Sequence, residues 1–264
     1  MSKLNIESKI ELNNGTKMPL LGFGTWQSKD GKTAYNAVLN ALKAGYRHID
    51  TAKFYGNEVS VGKAIRDSKI PREKIFVTTK LWPTDAINAE KAFDKSFDKL
   101  DIGYIDLYLL HWPVPGMIKK NWLKLESIFK KSGKIRAIGV SNYSIGQIKS
   151  TLKIATIKPV INQIKCSPYN YNQEIHDFCN ENGIVMEAYS PLTRGSMLED
   201  VELEAIADKY GKTPAQILLR WCVQKGVPAI PKSVHKDRIV ENTDIFDFEI
   251  SDQDIAKLDN FSKL

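Results

Sequence analysis

The sequence predicts an α/β fold, a (β/α)8 barrel of the TIM type, on three observations. Short apolar runs alternate with amphipathic helical patterns, the alternation repeats eight times, and 264 residues is a typical length for one such barrel. A hairpin comes first, over Lys9 to Leu20, with apolar Ile10 and Leu12, turn residues Asn13-Asn14-Gly15, then Met18 and Leu20. Leu20 to Gly24 follows as the first barrel strand, and Lys32 to Ala44 as a helix stopped at Gly45. Residues 47–50, 74–80, 104–111, 135–140, 159–164, 184–189 and 227–230 supply the other strands. Between them lie helical stripes. Ala89, Ala92, Phe93, Ser96, Phe97 and Leu100 recur at i, i+3, i+4 spacing. Trp122, Leu125, Ile128 and Phe129 make a second stripe ended by Gly133, and Ile175, Phe178 and Cys179 a third ended by Gly183. Thr213-Pro214 opens the helix of Ile217, Leu218 and Trp221 as N-cap and first-turn proline. Extra helices are expected over Val201 to Tyr210, before the last helix pair, and over Asp252 to Asn260 near the C-terminus. No linker or composition break interrupts the chain, so residues 1–264 are expected to form a single domain.

Composition narrows the function classes. The three cysteines (Cys166, Cys179, Cys222) include no C-x-x-C pair, which argues for a reducing compartment over a disulfide framework or structural zinc. Met1 to Glu11 lacks the apolar core of a signal peptide, and no apolar stretch is long enough to span a bilayer. A soluble cytoplasmic protein is expected. The net charge of +7 is spread over helix faces, as in Lys91, Lys95 and Lys99, so no nucleic-acid-binding stripe is expected.

Four reactive side chains stand where strands run out. Asp50 closes the run Tyr46 to Ile49, Tyr55 follows in the next loop, Lys80 ends Ile75 to Thr79, and His111 ends Ile105 to Leu110. Parallel α/β folds place their chemistry at the carboxyl ends of strands, so the four are expected to converge. A carbonyl that takes up hydride becomes an alkoxide and needs a proton donor. A lysine ammonium about 4 Å from a phenolate stabilises it by up to ~4 kcal/mol at an effective dielectric of ~20, a ceiling of roughly three pK units. Lys80 is therefore expected to acidify Tyr55, with Asp50 keeping Lys80 charged and His111 orienting the carbonyl.

The runs GYRHIDTAKFYGNE, TTKLW, LLHWP, IRAIGVSN, AYSPL and IPKSV resemble the aldo-keto reductases, in order and spacing, from about Ile10 to Leu258. The resemblance implies reduction of small aldehydes, dicarbonyls or ketones with NADPH, with Tyr55 as general acid, Lys80 and Asp50 tuning it, and His111 positioning the carbonyl. Gly22-Phe23-Gly24 does not extend into a dinucleotide fingerprint, because Gln27 stands where a third glycine or alanine belongs. The resemblance supplies another cradle. Ser141, Asn142 and Gln163 are expected on the nicotinamide amide, with Tyr189 stacked on the ring. Ser190 and Leu192 would line the pyrophosphate path, Lys232, Ser233 and Arg238 would hold the 2′-phosphate, and Glu241 and Asn242 would reach the adenine. Gly24, Thr25, Trp26, Asp50 and Ile230 complete the expected cofactor contacts. Trp26, Phe54, Tyr55, Trp82, His111 and Trp112 are expected to wall the substrate pocket.

Three positions depart from the family pattern. Lys165 and Ser167 replace an acidic residue and a histidine after Gln163, swapping a charge expected beside the barrel interior, and Thr193 stands where glycine is common. Short loops after His111 and Tyr189, and little chain after Asn260, suggest an open mouth and broad specificity. No metal is expected, and a monomer is. The alternative function is a non-catalytic NADPH-binding module for redox sensing or partner binding; the intact tetrad speaks against it.

Overall fold

The computed structural model describes residues 4–263. Strands β1 (Lys9–Glu11) and β2 (Lys17–Pro19) form the antiparallel hairpin. Leu12 and Met18 are buried against Phe76, Leu107, Leu109 and Ile161. Asn13 Nδ2 donates to the carbonyls of Pro159 (2.9 Å) and Gly183 (3.0 Å), and Asn14 Nδ2 to that of Arg136 (3.1 Å). These carbonyls lie where strands begin, so the hairpin plugs the amino-terminal mouth and leaves the opposite mouth for function.

Eight parallel strands follow in sequential order: β3 (Phe23–Gly24), β4 (His48–Asp50), β5 (Phe76–Leu81), β6 (Ile105–Leu110), β7 (Ile135–Ser141), β8 (Ile161–Lys165), β9 (Val185–Tyr189) and β10 (Ala229–Ile230). The ring closes through a parallel bridge between Leu21 and Ala229, with Gly22 N–H donating to the Ala229 carbonyl and Gly24 N–H to that of Pro231, both 2.9 Å. Glycine is required at this seam. A Cβ on Gly22 would stand 2.5 Å from His48 Nδ1, and one on Gly24 2.9 Å from the Ile230 carbonyl. The Gly-x-Gly pattern therefore serves barrel closure. β3 and β10 are shorter than expected, two residues each, although backbone bonds at the seam run on from Leu20 to Pro231.

Helices α1 (Lys32–Lys43), α2 (Glu58–Asp67), α3 (Ala89–Leu100), α4 (Ile118–Ser132), α5 (Ile145–Leu152), α6 (Gln173–Glu181), α7 (Val201–Tyr210), α8 (Pro214–Gln224), α9 (Lys236–Glu241) and α10 (Asp252–Asn260) surround the barrel. Their ends follow local chemistry. Ser144 with Gln147 and Thr213 with Gln216 form reciprocal capping boxes on α5 and α8, and Gly133 ends α4 in the left-handed conformation. The expected extra helices are α7 and α10. The apolar stripes of α3 and α4 bury Phe93, Leu100, Trp122 and Leu125 in one core with the outward faces of the strands. No helix among the described residues is long and apolar enough to cross a membrane. Inside the barrel, His48, Asp50, Lys80, Gln163 and Glu187 are all buried. Buried charge is costly unless paired, which directs attention to what those side chains do.

Candidate active site

Lys80 lies at the centre of the polar interior, its side chain fully buried on β5. Its Nζ donates to Asp50 Oδ1 (2.6 Å) and Oδ2 (2.7 Å), to the Thr51 carbonyl (2.9 Å) and to the Tyr55 hydroxyl oxygen (3.3 Å). Asp50 reaches it because β4 pairs with β5 in register, Asp50 opposite Thr78. Tyr55 reaches it from a single 3-10 turn, Lys53–Tyr55, closed by Gly56 at φ 70 and tied to the next loop by the Lys53–Asp85 ion pair. His111 follows β6, its ring edge-on to Tyr55 with centroids 5.6 Å apart. The four residues converge as expected.

The hydrogen-bond directions decide the chemistry. Lysine only donates, so the Tyr55 oxygen accepts from Lys80 and the phenol hydrogen is left for the cavity. Burial works to neutralise Lys80, but Asp50 and Tyr55 outweigh it and hold the amine above its ordinary value, as an ammonium. Burial raises the Asp50 carboxyl against the pull of Lys80 and Gln163. Lys80 pulls the phenol down as expected, but the net shift is upward. Burial pushes Tyr55 up to about 12, more than the ammonium lowers it, and Asp50 adds to the rise. The Coulomb ceiling left out desolvation, which is larger here. Burial, then Lys80, pushes His111 down to about 3, so its ring is neutral. Nδ1 of His111 is buried without a partner, leaving Nε2 as the nitrogen a ligand can reach.

A cavity of about 860 Å³ opens above these groups, in the range for a cofactor with a small substrate. Every expected site residue lines it except Lys80 and Thr25. Lys80 lies behind Tyr55 and Asp50. Thr25 is fully buried, its Oγ1 donating to the Asp50 carbonyl, so it supports the wall from behind and is not an available contact. At the end near Asp50, Asn142 Nδ2 donates to the His111 carbonyl (3.1 Å) and to Ser141 Oγ (2.9 Å), while Tyr189 Oη donates to Asn142 Oδ1 (2.9 Å). At the other end stand Lys232, Ser233 and Arg238, then Glu241, whose carboxylate accepts from Thr213, and buried Asn242. Neither Lys232 nor Arg238 has a carboxylate partner among the described residues, and burial pushes Lys232 down. Two unpaired cations in a cavity favour an anion. The aromatic wall is a stack: Phe54 lies on Trp82 at 3.9 Å and on Trp26 at 5.5 Å.

The three departures sit differently from one another. Lys165 is exposed, so it does not change the charge of the interior as expected. Ser167 is buried, with an unpartnered Oγ. Thr193 has φ 51 and braces its own turn, Oγ1 accepting from the Met197 N–H. Backbone strain gathers here: Gln27, Asn142, Ser190 and Arg194 all have positive φ and all line the cavity.

Sequence reasoning missed Glu187 and His48. Gln163 Nε2 donates to Asp50 Oδ2 (2.9 Å) and to Glu187 Oε2 (2.7 Å), and Glu187 Oε1 faces His48 Nδ1 at 3.6 Å. The available signal is a glutamate inside the otherwise apolar strand Val185–Tyr189. Arg194, also unforeseen, lines the cavity beside Ser190. Burial, then Asp50, pushes Glu187 up to about 8, from an ordinary 4.5. A carboxyl raised on folding binds more protons in the native state, so its contribution to stability falls as pH rises from about 4.5 through about 8. Glu187→Gln is expected to remove this dependence, a slope of at most about 1.4 kcal/mol per pH unit. Urea unfolding at pH 5 and pH 9 checks it; identical pH responses in both proteins would show that Glu187 does not titrate in this window.

Polar groups at the strand ends, an apolar wall and unpaired cations share one cavity on a barrel, an arrangement suited to oxidation and reduction between carbonyl and alcohol. The protein is an oxidoreductase of that class. The sequence pattern of the "Aldo/keto reductase family" matches residues 20–263. A glyoxal reductase of Bacillus subtilis is 44% identical over 98% of this chain and 94% of its own. A glycerol 2-dehydrogenase (NADP(+)) of Saccharomyces cerevisiae is 42% identical over 96% and 90%. The crystal structure of an aldo/keto reductase from Brucella melitensis matches with a TM-score of 0.90 at 44% identity, covering 96% of this chain and 99% of that one. The chain belongs to the aldo/keto reductase family.

Proposed function

We propose that the protein reduces small aldehydes, dicarbonyls or ketones to alcohols with NADPH, with Tyr55 as the proton donor. The observation that carries this reading is the Lys80–Tyr55 contact, which turns the phenol hydrogen toward the cavity. The residues fit a nicotinamide cofactor on their own chemistry. Ser141, Asn142 and Gln163 suit a carboxamide, Tyr189 suits a flat ring, and the unpaired Lys232 and Arg238 suit a 2′-phosphate. The relative whose name specifies NADP(+) supports the same choice. When bound, the cofactor supplies hydride. His111, neutral, donates from Nε2 to the carbonyl oxygen and orients it. Tyr55 gives its proton to the oxygen that becomes the alcohol. Lys80 then faces the phenolate, and Asp50 keeps Lys80 charged. Half-exposed Phe54 and Trp112 leave the aromatic wall open, which supports broad acceptance of small carbonyl compounds.

Loss of NADPH absorbance with a panel of small aldehydes, glyoxal among them, tests the activity. Tight NADPH binding with no turnover of any of them would favour a binding module on the same fold. The cofactor choice has its own test. Lys232→Ala with Arg238→Ala is expected to weaken NADPH roughly a hundredfold and leave NADH within a few-fold, from two lost phosphate contacts. Titration of both cofactors measures it, and an unchanged preference would place the 2′-phosphate elsewhere.

A further inference from the structure

The buried pair behind the tetrad, Glu187 and His48, has no part in the chemistry above. Its connection to the cavity runs through Gln163. An amide nitrogen carries two hydrogens, and here both are taken by carboxyl oxygens, Asp50 Oδ2 at 2.9 Å and Glu187 Oε2 at 2.7 Å. The amide therefore has one orientation. Turning it over would set its carbonyl oxygen against the Asp50 carboxylate, an acceptor only, in a buried place. What remains for a ligand is Oε1, on a side chain that lines the cavity.

We infer that Glu187 is a positioning residue: together with Asp50 it locks the Gln163 amide so that Oε1 alone meets the carboxamide end of the cofactor. This rests on the reading that the nicotinamide is seated at Ser141, Asn142 and Gln163. Asp50 by itself would occupy one hydrogen and leave the amide free to swing about that contact. Glu187, from the next strand over, occupies the second. The groups facing Glu187 are Asp50 and His48 on β4, Lys80 on β5 and Gln163 on β8. A second full charge beside Asp50 would compete for the one ammonium. The carboxyl, raised to about 8, holds its proton through neutral pH and still accepts from Gln163 through Oε2.

The test compares two ligands on three proteins. NADPH and 2′-phospho-ADP-ribose, which has the same phosphates and adenine but no nicotinamide, are titrated into wild type, Glu187→Gln and Glu187→Met by calorimetry. Glu187→Met, matched in length but unable to accept, is expected to weaken NADPH roughly tenfold or more and to leave 2′-phospho-ADP-ribose unchanged. Glu187→Gln, whose amide oxygen still accepts from Gln163, is expected to bind both like wild type. In a Gln163→Ala background, Glu187→Met should cost nothing further. Equal weakening of both ligands would reveal a packing defect and overturn the inference, as would NADPH affinity unaffected by Glu187→Met. Should Glu187→Met not fold, Glu187→Thr, too short to reach Gln163, gives the same comparison. Wild type binding neither ligand would overturn the NADPH reading itself, and this inference with it.

Discussion

Tyr55→Phe is expected to lower the rate of aldehyde reduction by about 10³-fold, within the range for losing a positioned general acid, with NADPH affinity changed less than about twofold. The ring stays in place because its packing against Trp26 and His111 does not involve the hydroxyl. Only the oxygen is removed, and with it the proton donor. The pH profile adds a second check. Burial pushes Tyr55 up to about 12, so the donor holds its proton at every pH below that, and His111, pushed down to about 3, is neutral at every pH above it. Neither group therefore contributes an inflection between about pH 5 and pH 9, and any loss of rate from the phenol comes only toward pH 12. Single-turnover reduction of one aldehyde across that range measures this. If Tyr55→Phe kept wild-type turnover, Tyr55 would have no place in the proton transfer.

A phenol held near 12 remains an adequate acid for this reaction. The oxygen it must protonate carries alkoxide character as hydride arrives, and an alkoxide is far more basic than a phenolate. Lys80 matters after the proton has gone, when its ammonium 3.3 Å away faces the new charge. The pairwise estimate from the sequence had the right partners and the wrong balance. Separation between Lys80 and Tyr55 can be guessed from strand-end spacing, whereas the depth of the phenol below the surface is a property of the assembled mouth.

The same distinction separates what was legible from what was not. Strand ends are marked by where apolar runs stop, so Asp50, Lys80, His111, Asn142 and Tyr189 fall at or beside strand ends as expected, while Gln163 lies in the middle of β8 and still lines the cavity. Which way a side chain points at such an end is less visible. Thr25 faces the wall behind Asp50, and Lys165, the last residue of its strand, is exposed to solvent. Glu187 and His48 escaped for the reverse reason. Both lie within strands, where an isolated polar residue reads as an outward-facing position, and only the closed barrel turns Glu187 toward Gln163 and His48 toward Glu187.

Lys80→Met is expected to cost about 3–5 kcal/mol of stability, since it leaves the Asp50 carboxylate buried beside no cation. The side chain fits, so the loss is electrostatic. Asp50 would respond by taking up a proton, its native pKa standing above the ordinary 3.8. A carboxyl raised in this way destabilises the native state more as pH climbs from about 3.8 through its native pKa, so the penalty should be smaller at pH 5 than at pH 8. Adding Asp50→Asn to Lys80→Met removes the orphaned charge and should restore most of the stability, since a buried ion pair replaced as a unit is often close to neutral. Activity should not return in the double variant, because the Tyr55 oxygen has lost its donor. Urea unfolding of the three proteins at both pH values separates the two effects. A penalty that is equal at pH 5 and pH 8 and is not relieved by Asp50→Asn would mean that Lys80 supports the barrel through packing, leaving the charge at the centre of this site without a structural role.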